Sequence, residues 1–160
     1  MDLTGSSENY HGEATIVVFD FYHFRLGRPI NESALKQLKR GGSMDTGDAG
    51  SFVVQQVMGD LLKHNSTCGY VICYTRDKWI PIGAIKYHEE GSEVIIDRLG
   101  VIKRFERQGI GRALMNIVMI YGRQRKLKRL TWVDGGTIEC GQFYDKIAAI
   151  KEGENYHLDI

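Results

Sequence analysis

The feature that most narrows the folds open to this 160-residue chain is a strand-like run, Val94 to Val101, that leads through Gly109-Ile110-Gly111 into a strong helical repeat. Ile110, Ala113, Leu114, Ile117, Val118 and Tyr121 fall on one helical face. Leu130 to Val133 then reads as a short strand. Two strands joined through a helix run parallel, with a right-handed crossover. Two glycines one residue apart at a strand-to-helix turn let backbone N–H groups close on an anion, and the helix adds the positive end of its dipole. The first expectation is therefore a phosphate or pyrophosphate held at the helix start near Gly109.

Upstream, residues 1–13 are polar and read as a loose arm, and Ala14 to Phe24 reads as a strand. Asn31 suits the cap of a short helix over Glu32 to Lys39, and the glycine-rich Gly41 to Gly50 reads as a mobile loop. Ser51 is the expected cap of a second helix, with Val54, Val57, Met58, Leu61 and Leu62 at helical spacing. Tyr70 to Thr75, Ile80 to Tyr87 and Glu93 to Val101 follow as strands. Polar turns at Arg76-Asp77-Lys78 and Glu89-Glu90-Gly91 make them an antiparallel meander. Beyond the parallel pair, Asp134 to Thr137 reads as a turn, Ile138 to Ile147 as a short helix and Tyr156 to Ile160 as a last strand. The length suits one domain over 1–160.

Several classes are set aside. Leu114 stands where a third dinucleotide-binding glycine belongs, and the step from Val101 to Gly109 is too long for that tight turn. No Gly-Lys-Ser/Thr follows, which removes the P-loop. A net charge of +1 offers no global electrostatic case for nucleic acid or membrane. The basic Arg123, Arg125, Lys126 and Lys128 suit a helix C-terminus. Cys68, Cys73 and Cys140 are odd in number and lack C-x-x-C, which fits free thiols and a cytoplasmic location. His11, His23, His64, His88 and His157 show no metal-ligand spacing, and no metal is expected. His88, beside Glu89 and Glu90, reads as a surface histidine.

The run from Leu99 through Phe105-Glu106-Arg107-Gln108-Gly109-Ile110-Gly111-Arg112 to Leu114 resembles the acetyl-CoA-binding motif of the GNAT (GCN5-related) N-acetyltransferases. Thr137-Ile138-Glu139-Cys140-Gly141-Gln142-Phe143-Tyr144-Asp145-Lys146 is similar to that family's second signature. Glu106 stands where the family usually has Arg or Gln, Lys103 replaces Pro, Thr137 replaces Asn, and Cys140 replaces Ala. The resemblance implies an α+β fold: a mixed, mostly antiparallel central sheet flanked by helices, with a parallel pair that splays to admit the cofactor. It also implies direct acetyl transfer from acetyl-CoA to a primary amine on a protein or small molecule. A catalytically silent acyl-CoA-binding module of the same fold is the alternative.

On that resemblance the cofactor is held by the backbone of Leu99, Gly100 and Val101 at the thioester and by Gln108, Gly109, Ile110, Gly111 and Arg112 at the pyrophosphate. Arg107 or Arg112 adds charge, and Thr137 contributes from the second signature. Tyr144 matches the tyrosine that protonates the leaving thiolate, and Glu93 matches the general-base glutamate. Asp97 lies on the same strand face as Glu93 and nearer the thioester end. Glu93, Asp97 and a water relay all remain open as the route for the proton. Cys140 reads as a packed thiol. The short C-terminal end leaves a sheet edge that suits a homodimer.

Overall fold

The computed structural model describes residues 2–4, 16–23, 36, 48–63, 67–133 and 149–160. Eight strands form one sheet. They are β1 (Asp2–Thr4), β2 (Ile16–His23), β3 (Cys68–Thr75), β4 (Pro81–Glu90), β5 (Glu93–Val101), β6 (Arg129–Val133), β7 (Ile150–Glu152) and β8 (Asn155–Asp159). Their order is β1-β2-β3-β4-β5-β6-β8-β7. Every neighbouring pair is antiparallel except β5 and β6. Among the described residues two helices, α1 (Ala49–Leu62) and α2 (Ile110–Gln124), cover opposite faces.

The alternation of β4 and β5 assigns the faces. A β-carbon on Gly83 would press on Ile110 and Leu114, and Tyr87 packs on Tyr121, so odd positions of β4 from Gly83 onward look toward α2. Lys86, between them, reaches Asp60 of α1. Phe21, Tyr87 and Tyr121 cluster with ring centroids 5.4–6.2 Å apart and join β2, β4 and α2. Val53, Val54, Val57, Met58 and Leu61 fill the core from α1, and Leu114, Met115, Val118 and Tyr121 from α2.

The parallel pair is short. Only Glu93, Val94 and Ile95 match Arg129, Leu130 and Thr131. β5 runs on to Val101, and β6 turns its pairing to β8. The expected splay therefore opens just past Ile95.

Several expectations are corrected. Residues 2–4 of the supposed loose arm pair with β2 as an edge strand. The second helix is capped by Asp48, whose Oδ1 accepts the Ser51 N–H at 2.7 Å, so Ser51 lies inside the helix and Gly50 belongs to it too, not to a loop. β4 continues through Glu90, and Gly91-Ser92 makes the turn, Gly91 having φ +60°. The C-terminal strand is half of a hairpin whose other strand, β7, was not anticipated. Of the helix expected over Glu32 to Lys39, only Lys36 falls among the described residues. The turn and helix expected over 134–147, with Thr137, Cys140 and Tyr144, lie outside them.

Candidate active site

The site is built along β5. Past Ile95 this strand has a partner on one side only among the described residues, so alternate residues up to Val101 present backbone N–H and C=O groups into the gap toward β6. Leu99, Gly100 and Val101, the expected thioester-binding residues, lie on this stretch and are buried. Gly100 faces α1, where a β-carbon would come within 2.7 Å of Val53 and 3.0 Å of the Gly50 carbonyl oxygen. Helix α1 is thus seated directly on the end of β5.

Beyond β5 the chain makes a one-turn 3-10 helix, Lys103–Phe105, pinned by the buried Phe105. Glu106 is extended and exposed, and its N–H donates to the Lys103 carbonyl at 3.1 Å. Arg107 (φ +65°) and Gly109 (φ +81°) are both left-handed and bracket Gln108. Backbone turns of this kind point successive N–H groups toward one concavity. Helix α2 then starts with no side-chain cap and no acid in its first turn. The Ala113 N–H reaches back to the Gly109 carbonyl at 2.9 Å, which leaves the N–H groups of Ile110, Gly111 and Arg112 ahead of the intrahelical ladder. Gln108 adds a buried side-chain Nε2 with no hydrogen-bond partner among the described residues. An uncapped helix start, two left-handed residues and an orphaned amide nitrogen fit a diphosphate. Arg107 and Arg112 stand exposed beside it. Gly109 has open space where a β-carbon would go, so its requirement for glycine comes from φ alone.

At the other end of the gap, the two candidate carboxylates share a strand face but have different surroundings. Glu93 accepts from the Thr131 hydroxyl at 2.7 Å and lies 4.0 Å from Arg129 Nε, so it bridges β5 to β6. Asp97 is the extra residue of a β-bulge: Lys86 pairs with Arg98 and Tyr87 with Ile96, so the register skips Asp97. The bulge puts Asp97 and Arg98 on the α1 side together, where Arg98 donates to Gln56 Oε1.

Asp97 Oδ2 lies 2.8 Å from His88 Nδ1, and His88 Nε2 lies 3.3 Å from the exposed Glu90. Partial burial lowers the His88 pKa, but hydrogen bonding and charge attraction from Asp97, then from Glu90, outweigh it and hold it above 6.5. His88 is therefore a half-buried member of β4 paired to Asp97, not the surface turn histidine expected. The hairpin held the signal. Counting back from Gly91-Ser92 sets His88 opposite Ile95, two residues from Asp97 on the same face.

These groups line an open cleft of about 590 Å³ bounded by Thr67, Cys68, Lys86, His88, Asp97 and Arg98. The Tyr70 hydroxyl is buried nearby, its pKa raised by burial and then by Cys68, Asp60 and Asp97. Among the described residues no cluster of three His, Cys, Asp or Glu side chains is arranged to hold a metal. No helix among them is long and apolar enough to cross a membrane.

A family model described as the acetyltransferase (GNAT) family matches residues 43–147. Among solved structures, a protein from Desulfovibrio desulfuricans assigned to the GNAT acetyltransferases has a TM-score of 0.60 at 17% identity, over 89% of this chain and 98% of its own. A GNAT-family acetyltransferase from Staphylococcus aureus gives 0.57 at 13% identity, over 89% and 99%. A GNAT-family N-acetyltransferase from Escherichia coli, solved in complex with CoA, gives 0.57 at 12% identity, over 92% and 83%. At these identities the likeness is one of fold. No curated protein sequence matches the chain.

Proposed function

The chain belongs to the GNAT acetyltransferase family, and from that premise we propose that it transfers the acetyl group of acetyl-CoA directly to a primary amine. One observation carries the reading. The stretch of β5 that lacks a β6 partner leads, through a single turn, to a helix start with no cap and no acid. The gap suits a thin chain bearing amide groups, and the helix start suits its diphosphate.

Acetyl-CoA, when bound, supplies an acyl group activated as a thioester. The backbone N–H groups of Gln108, Gly109, Ile110, Gly111 and Arg112 bind the pyrophosphate, with the Gln108 side-chain amide and the Arg107 and Arg112 guanidiniums around it. Backbone N–H groups between Leu99 and Val101 polarise the thioester carbonyl as an oxyanion hole. Asp97 sits on the open cleft and supports the acceptor end of the reaction. Glu93 is occupied by Thr131, which favours a bridging role over that of base. The resemblance in the second signature assigns Tyr144 to protonating the thiolate and Thr137 to contacting the cofactor.

The test couples calorimetry with acetyl-CoA to a thiol-release assay across protein, polyamine, amino-acid and aminoglycoside amines. Binding with turnover of at least one amine is the expected result. Binding without turnover of any amine points to the silent acyl-CoA-binding module. No binding at millimolar acetyl-CoA overturns both.

A further inference from the structure

We propose that His88, held by Asp97, is the group that takes the proton from the acceptor amine, so that the base is a histidine–aspartate dyad spanning β4 and β5. The proposal rests on the acetyltransferase reading above and deepens it. Asp97 is then a positioning residue, and His88 the catalytic one.

Four observations converge on the pair. With Asp97 Oδ2 2.8 Å from Nδ1 and Glu90 Oε2 3.3 Å from Nε2, the resting geometry suits an imidazolium donating from both nitrogens; once the ring gives up a proton, the anchored Asp97 keeps the Nδ1–H, which leaves the lone pair on Nε2. Nε2 meets only the side chain of Glu90, which is 74% exposed and can be displaced by an incoming amine, whereas the His88 side chain is 31% exposed and anchored. Asp97 is the bulge residue of β5 and lies on the stretch with no β6 partner, two positions before Leu99. His88 itself pairs with Ile95, four positions before Leu99 and roughly 13 Å along the strand, so water in the open cleft carries the proton to it from an amine attacking a thioester held at Leu99 to Val101. Finally, the pair lines the open cleft on the α1 side.

The remaining charged groups facing His88 are already engaged. Lys86 of β4 is paired with Asp60 of α1 at 3.0 Å, and Arg98 of β5 is tied to Gln56. Cys68 of β3 stands opposite His88 in the ladder. Among the described residues, Asp97 and Glu90 are the direct partners of the imidazole.

The proton balance closes. An acceptor ammonium gives one proton through cleft water to His88 Nε2, and the imidazolium passes it by way of Glu90 to bulk water. The free amine then attacks the carbonyl carbon, forming the N–C bond. As the C–S bond breaks, the second nitrogen proton goes to the departing sulfur, through Tyr144 on the reading above. The products are the amide, the thiol and one proton in solution.

The experiment compares wild type, His88→Gln and Asp97→Asn by pH–rate profile on the best amine from the panel, alongside histidine titration by NMR on the free protein. For H88Q, kcat/KM near neutral pH should fall by about 10²–10³-fold, and the deficit should shrink as pH approaches the amine's own pKa. Its acetyl-CoA affinity should stay within about twofold of wild type, since His88 is remote from the phosphate cradle. D97N should move the acid limb of the profile to lower pH and lower the NMR titration of His88. An H88Q profile within threefold of wild type at every pH overturns the dyad while leaving the acetyltransferase reading intact. A His88 titration that D97N does not move overturns it as well, whether or not an acceptor is in hand. Wild type that releases no thiol with any amine sinks the acetyltransferase reading, and the dyad's role with it.

Discussion

Gly50 and Val101 touch backbone to backbone: a β-carbon on Gly50 would overlap the Val101 carbonyl oxygen. Backbone cannot yield as a flexible side chain does, so Gly50→Ala must push the start of α1 away from β5. The expected cost is about 1–3 kcal/mol. Because the displaced strand end is the proposed thioester site, acetyl-CoA affinity should fall with stability. Thermal unfolding and calorimetry on the same variant check both. Lower stability with unchanged affinity would uncouple α1 from the cofactor site.

Gly109→Ala should act through φ, since the added carbon meets nothing. Holding a non-glycine residue at φ +81° costs about 1–2 kcal/mol. Gly109→Asn should cost less, because Asn tolerates the left-handed region better. The order Gly, Asn, Ala in melting temperature is the expected outcome, with acetyl-CoA affinity following the same order.

Glu93 ties the two parallel strands together just before they part. Thr131→Val should therefore lower stability by about 1 kcal/mol, the usual worth of one hydrogen bond. Glu93→Gln should keep most of the turnover, within about threefold, because an amide oxygen still accepts from Thr131. A hundredfold loss on E93Q would reinstate Glu93 as the base.

The His88 ion pair also ties stability to pH. The native pKa lies above the unfolded value of 6.5, so the protonated form is favoured by folding. That contribution is fully present below about pH 6.5 and is lost as pH rises through the native pKa. Wild type should exceed H88Q in melting temperature on the acid side and converge with it on the alkaline side. The gap should be small, about 1–2 °C, after discounting a partly exposed pair for solvent screening.

Cys73 is fully buried, and burial pushes its thiol well above the ordinary range. It should stay unmodified by a thiol reagent in native protein at neutral pH and react on unfolding. Peptide mapping after native labelling separates it from the other cysteines. Rapid native labelling at Cys73 would mean that the sheet opens locally around β3.

Much of the fold was legible because its signals are local. The bounds of β5 follow from its apolar run and flanking turns, and the start of α2 from its glycines and periodicity. β7 carried such a signal as well: Gly153-Glu154 forms a two-residue hairpin loop with Gly153 at φ +61°. It was hidden by the shortness of the strands on either side. The division of labour between Glu93 and Asp97 was not legible. It depends on Thr131, brought alongside only by the crossover through α2, and on the extra residue in β5 at Asp97. A bulge is set by how two strands fit, and neither strand alone announces it. Asp48 is the cap and Ser51 is buried in the first turn, where Gly50 seats the helix against Val101, a contact remote in sequence.

The gap between β5 and β6 has a consequence for how the protein coexists with copies of itself. Unpaired strand groups on the rim of a sheet invite a neighbouring chain to add a strand, and native edges are usually blunted against it. Here the long unpaired stretch lies in the interior of the order, with β4 on one side and the β6–β8–β7 group on the other. A whole strand, with a partner chain attached, would have to thread between them. A slender linear molecule, such as the proposed cofactor, needs no such threading. The position of the gap thus works as a sieve, shutting out self-association at the hydrogen-bonding groups assigned above to the proposed cofactor.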